Sequence, residues 1–172
     1  MRIRPESAAD EAEARIVHAA AFRLPDDPDA VPVEVPLLEK LRASDAWLGR
    51  LSMVADVDGR VVGHVVCTRA YLEQVPVLGL GPIGVDPDLQ NRGIGTALVH
   101  AVVAEADTMG EPLIGLLGDP SYYRRFGFIP AVAVDITAPD PGWGDYFQVK
   151  PLSGYRPTMS GRFVYAEPFQ RL

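Results

Sequence analysis

Apolar and polar positions divide this chain into alternating strand-like and helix-like stretches. Arg2-Ile3-Arg4 alternates as a short edge strand does. Residues 7–22 are alanine-rich and group Ile16, Val17 and Ala20 at helical spacing, which predicts a first helix. The stretch 24–36 holds Pro25, Pro28, Pro32 and Pro36, so neither a regular helix nor a central strand fits it. A second helix is expected over about 35–43. Residues 51–57 and 60–71 read as strands joined by Asp58-Gly59, a pair that tolerates the positive φ angles of a two-residue hairpin.

The next run, 75–85, is strand-like but interrupted by Gly79, Gly81, Pro82 and Gly84. Glycines and proline inside a strand mark a bulge or a close approach by something other than a neighbouring strand. A helix follows over 92–109, with Ile94, Ala97, Leu98, Ala101 and Val102 expected on its buried side and Gly110 at its C-cap. Residues 112–117 form a short apolar run suited to a buried parallel strand. Asp119 or Ser121 can cap a short helix ending at Gly127. The tail 139–157, rich in proline, glycine and aromatics, reads as irregular, and 162–166 as a last strand. This order predicts a mixed, twisted α/β sheet with helices on both faces.

One loop carries chemistry. Gln90-Asn91-Arg92-Gly93-Ile94-Gly95-Thr96-Ala97 lies between the glycine-rich strand and the long helix. Glycines at a helix entrance let a ligand approach the backbone, and the free N–H groups and the dipole there favour an anion. A dinucleotide fingerprint requires a further small residue where Leu98 stands, and it follows the first strand of its unit. A Walker loop requires Gly-Lys, which the chain lacks. The remaining form, Q/R-x-x-G-x-G/A, is matched by Gln90 to Gly95.

With that loop, and with Gly118-Asp119-Pro120-Ser121-Tyr122-Tyr123-Arg124-Arg125-Phe126-Gly127-Phe128 after it, the sequence resembles the GNAT superfamily of N-acetyltransferases, in particular its small bacterial members. The resemblance covers about residues 78–130. It implies a sheet of about seven strands flanked by about four helices, in one domain spanning 1–172. It also implies that acetyl-CoA is the cosubstrate. Its pyrophosphate would lie on Gln90, Asn91, Arg92, Gly93, Ile94, Gly95 and Thr96, and its pantetheine against Ile83, Gly84 and Val85, whose N–H groups would hold the oxyanion. Tyr123, four residues before Gly127, matches the tyrosine that protonates the departing sulfur, with Tyr122 as the alternative. A plainer reading has Tyr123 only packing with Phe126 and Phe128. Many members carry a glutamate on the fourth strand, but residues 78–85 contain no carboxylate. Asp119, His64 and Glu73 are the remaining candidates for a base.

Composition narrows the classes further. Hydrophobic content of 48% with 23% charged residues is that of an ordinary globular domain. No apolar run reaches the ~18 residues of a membrane helix, and the N-terminus lacks a signal-peptide core, so the cytoplasm is the expected compartment. The formal charge of −7 argues against nucleic acid as a partner. A single cysteine, Cys67, excludes an intrachain disulfide and reads as a core residue. His18, His64 and His100 show no ligand spacing, so no metal is expected. The acceptor is expected to be a small-molecule or peptide amine, met by the segment with Asp26, Asp27, Asp29 and Glu34 and by the aromatic tail with Trp143, Tyr146 and Phe147. A non-catalytic acyl-CoA sensor and an enzyme using a longer acyl chain are the rival readings. A homodimer is compatible with the resemblance, but no residue pattern marks an interface.

Overall fold

The computed structural model describes all residues, 1–172. Its strands are β1 (Arg2–Pro5), β2 (Trp47–Val57), β3 (Arg60–Leu72), β4 (Val75–Val85), β5 (Leu113–Leu117), β6 (Ile129–Pro130), β7 (Ile136–Thr137), β8 (Phe147–Pro151) and β9 (Gly161–Val164). Its α-helices are α1 (Glu11–Ala21), α2 (Glu34–Arg42), α3 (Ile94–Thr108) and the short α4 (Pro120–Tyr123). The sheet runs β1-β2-β3-β4-β5-β8-β6, with β9 pairing β3 and β7. It is antiparallel except at β4–β5 and β7–β9. The strands not foreseen individually are the short β6 and β7 and, in the tail, β8. There β8 pairs with β5 along its whole length, from Leu113↔Pro151 to Leu117↔Phe147, where the sequence predicted irregular chain.

The β2–β3 hairpin closes at Val57↔Arg60, with φ of 52° at Asp58 and 83° at Gly59. Both central residues are left-handed, as the turn that matches strand twist requires. The two faces of the sheet carry different layers. Leu98 and Ile94 of α3 lie where a Cβ on Gly63 would project, and His18 of α1 lies where a Cβ on Gly84 would project. The buried side of α3 is Ile94, Leu98, Val99, Val102 and Ala106, so the stripe is rotated away from the expected Ala97 and Ala101, which are half-buried. On α1 the buried residues are Ala14, Val17 and His18, and Ile16 faces solvent.

The functional gap arises where β4 leaves β5. Their ladder consists of Leu78↔Ile114 and Gly79↔Gly115, after which β4 runs on to Val85 beside β3 and β5 to Leu117 beside β8, no longer paired with each other. A register shift on β3 between Val65 and Cys67 stands opposite the Leu80-Gly81-Pro82-Ile83 stretch. Gly81 adopts φ 142° there, and Pro82 has no N–H to give to a ladder. The interruption seen in the sequence is thus a bulge that turns β4 away from its neighbour.

A buried polar chain ties α1 to the sheet. Arg42 donates to both oxygens of Glu6 at 2.8 Å, and the Ser52 hydroxyl donates to Glu6 Oε2 at 2.6 Å. Ser52 Oγ lies 2.8 Å from His64 Nε2, and His64 Nδ1 lies 2.8 Å from His18 Nε2. With both imidazoles neutral, and because the Glu6 carboxylate only accepts, the tautomers that satisfy every contact point each proton in this chain toward it. That leaves the Nδ1 of His18 as a bare lone pair beside Gly84, buried and without a partner. Burial, then the facing His64, lowers the His18 imidazole to about 3. Burial alone would raise Glu6, but hydrogen bonding through His64, Arg42 and Ser52 outweighs it and holds the carboxyl at about 2.

This chain makes the fold acid-sensitive. His64, Glu6 and Arg42 are the titratable and charged groups facing His18. Unfolded, His18 takes a proton near pH 6.5; folded, it stays neutral to about 3. Its contribution to stability is therefore whole above pH 6.5 and is lost as pH falls, by about 1.4 kcal/mol per pH unit. We predict a loss of about 2 kcal/mol between pH 6.5 and 5, read from urea midpoints. His18→Gln should flatten that slope; an unchanged slope in the variant would contradict the assignment.

Candidate functional site

The loop after β4 carries two left-handed residues with Arg92 between them. Asn91 has φ 62° and Gly93, the N-cap of α3, has φ 86°. Gln90 folds back so that its side-chain amide donates to Val85 O at 3.1 Å, which pins the loop to the end of β4. The first N–H groups of α3 then open onto a cleft of about 580 Å³. Ile83, Gly84, Val85, Gln90, Asn91, Gly93, Ile94, Gly95 and Thr96 all line it. Arg92, expected with them, is exposed and does not line the cleft. It sits between two left-handed residues, and the cation on the wall is Arg125 instead. Arg125 Nε donates to Tyr122 O at 2.9 Å, and its guanidinium lies 4.5 Å from the Tyr122 ring centroid. The arginine pair after the double tyrosine was the available signal for it.

Tyr122 and Tyr123 differ in position. Asp119 caps α4 by accepting from the N–H and hydroxyl of Ser121, both at 2.8 Å, which fixes the turn that carries both tyrosines. The Tyr122 hydroxyl lies 3.4 Å from Thr96 Oγ1 and only in the cofactor-type cleft. Tyr123 lines that cleft and also a second, larger cavity of about 850 Å³. Phe22 and Ile83 are shared in the same way, so the two spaces meet at Phe22, Ile83 and Tyr123. The Tyr123 ring presses against Gly118, where a Cβ would come within 2.4 Å of it. Gly118 thus makes room for the tyrosine, a role not foreseen from the sequence. Burial, with Tyr122 adding to it, pushes the Tyr123 phenol up to about 12. The phenol is therefore fully protonated at any working pH, and a weaker acid than an ordinary tyrosine.

Candidate bases on the sequence list are otherwise engaged. Asp119 is an N-cap, and Glu73 Oε1 accepts the Arg162 N–H at 2.8 Å. His64 is buried within the chain leading to Glu6. A carboxylate held at about 2 is a poor store for a proton taken from an amine near 10, so that chain is a structural tie. None of the three residues that line both spaces, Phe22, Ile83 and Tyr123, carries a carboxylate. Of the residues expected to meet the acceptor, Glu34 and Trp143 line the larger cavity. Asp26, Asp27, Asp29 and Tyr146 do not line it, and Phe147 is buried beneath it, packed on Phe163 at 5.0 Å between ring centroids. Sequence reasoning missed β9 and Phe169 as its far wall.

The acetyltransferase (GNAT) family pattern matches residues 18–128. The chain belongs to the GNAT family. This acetyltransferase is 29% identical to the uncharacterized N-acetyltransferase YjhQ of Escherichia coli (strain K12), over 93% of this chain and 89% of that one. It is 30% identical to YhbS of the same strain, over 80% and 84%. Among solved structures it superposes with TM-score 0.78 on a GNAT acetyltransferase from Brucella melitensis in complex with acetyl-CoA, at 34% identity over 98% and 97% of the two chains. On YhbS from Escherichia coli in complex with CoA the TM-score is 0.87, at 27% identity over 99% and 92%. The chain is an N-acetyltransferase by family, and none of its helices is long and apolar enough to cross a membrane.

Proposed function

We propose that this protein transfers the acetyl group of acetyl-CoA to a primary amine by direct attack in a ternary complex. The observation that carries the reading is the meeting of two cavities at Phe22, Ile83 and Tyr123. One is framed by the N-terminus of α3 and by the free edge of β4, and the other opens beyond Tyr123. Donor and acceptor can then be bound together with the thioester at the junction, which converts a bimolecular encounter into an oriented one. The complexes of relatives with acetyl-CoA and with CoA support the choice of donor.

The pyrophosphate would lie on the N–H groups around Gly93 to Thr96, with Arg125 alongside, and the pantetheine along β4 where β5 has departed. The neutral amine nitrogen attacks the carbonyl carbon while N–H groups of the Ile83–Val85 stretch receive the oxyanion. The C–N bond forms, the C–S bond breaks and the nitrogen releases one proton to solvent. The sulfur leaves as a thiolate and gains one proton from the Tyr123 hydroxyl, which solvent then restores. Burial that weakens the phenol as an acid also strengthens its hydrogen bond to a charged sulfur in the same dry pocket.

Titration calorimetry with acetyl-CoA, succinyl-CoA, NAD and ATP tests the donor. We expect micromolar-range binding of acetyl-CoA, tighter than succinyl-CoA, and none of NAD or ATP. Equal binding of all four would remove the reading, and tighter succinyl-CoA binding would replace the acyl group. Binding of acetyl-CoA without turnover across a broad amine panel would favour a sensor.

A further inference from the structure

The larger cavity has a division of chemistry that bears on the acceptor, and the inference rests on the acetyl-transfer reading above. Its floor is apolar: Leu80 of β4, Leu116 of β5, Phe163 of β9, Tyr165 and Trp143. Leu116 and Phe163 are almost completely buried. Tyr165 packs against Phe163 at 5.0 Å and Phe169 at 4.7 Å between ring centroids, and fills the room a side chain on Gly79 would take. The charged residues on the wall, Glu34, Asp140 and Arg162, are half-buried or exposed. Asp140 is partly spent on capping, accepting the Gly142 N–H at 2.8 Å.

We infer that the acceptor is a small primary amine whose body is aromatic or branched-aliphatic, seated on this floor with its nitrogen at Tyr123 and Ile83. The volume of about 850 Å³ is that of a small-molecule site. An aromatic body would be covered by rings that offer edges and faces at stacking distance. A polyamine or aminoglycoside has further ammonium groups, and no buried carboxylate awaits them on the floor; each would lose its hydration without a partner. The same apolar surroundings favour the uncharged form of the bound amine. That supplies what the missing carboxylate on β4 would otherwise supply, because the cavity selects the neutral nucleophile from solution.

Two measurements test this on the intact protein once acetyl-CoA binding has been established by calorimetry. The first compares kcat/KM for 2-phenylethylamine, isoamylamine, ethylamine, spermidine and an alanine-terminated peptide. We expect the aromatic amine to exceed spermidine, ethylamine and the peptide by about 100-fold, the factor expected from burying one ring. The second follows kcat/KM for 2-phenylethylamine against pH. It should climb about tenfold per unit from pH 6 to 8 without levelling, following the free amine up to its own pKa near 10. Trp143→Ala should raise KM for the aromatic amine about tenfold and leave the Kd of acetyl-CoA unchanged. Preference for spermidine or the peptide, no turnover of aromatic amines beside bound acetyl-CoA, or a plateau near pH 7 that signals a base on the protein would overturn the inference. Failure of acetyl-CoA to bind would instead overturn the donor reading.

Discussion

Tyr123→Phe is expected to lower the single-turnover rate of acetyl transfer by 10²- to 10³-fold while the Kd of acetyl-CoA changes by less than about threefold. The ring is held by apolar contact with Phe126, Phe128 and the bare face of Gly118, none of which holds the hydroxyl. Phenylalanine therefore keeps the packing and removes only the proton donor. Tyr122→Phe serves as the comparison, since its hydroxyl sits near Thr96 in the donor cleft and its loss should act on affinity before rate. A single-turnover rate within about threefold of the parent in Tyr123→Phe, with the preferred acceptor, would return that residue to a packing role.

Gly95→Glu is expected to weaken acetyl-CoA binding by at least about 100-fold in calorimetry, with thermal stability unchanged or raised. Gly95 is the second residue of α3, and a Cβ there has ordinary room, 3.4 Å from the Tyr122 hydroxyl and 3.7 Å from Val85. A carboxylate in the first turn is favourable to the helix itself, so the fold should accept it. In the cleft the same carboxylate occupies the donors meant for the phosphates and repels them. Two lost charge-assisted hydrogen bonds at about 1.5–3 kcal/mol each give roughly 10²- to 10⁴-fold. Intact binding in a folded variant would move the pyrophosphate elsewhere.

Local signals were legible where a residue type dictates backbone geometry. The interruption within β4 and the Asp58-Gly59 turn follow from glycine and proline positions, and α3 starts at Ile94, two residues after the expected Arg92. The strand β8 escaped because its alternation is four residues long within a proline- and glycine-rich tail, and its partner β5 supplies most of the order. Arg92 looked like the cation of the loop, yet backbone twist on either side turns it outward, a matter of φ angles rather than composition. The pairing of His18 with His64 spans 46 residues, and no local pattern reports a contact of that kind. The wall of the larger cavity was half legible for the same reason: Trp143 and Glu34 were placed, while β9 reaches it through long-range pairing with β3 and β7.

On β4 the space at Gly79 is filled by Tyr165 and the space at Gly84 by His18 and Ala21. At these two glycines β4 presents main chain, and its neighbours supply the side chains there. Trp143, Phe163, Tyr165 and Phe169 all lie after residue 128, where the family pattern ends. Exchanges at these four positions would therefore reshape the larger cavity while leaving every residue that lines the cleft at Gly93 to Thr96 in place. Pocket shape and anion cradle are written in separate stretches of the chain, so each can be altered without touching the other.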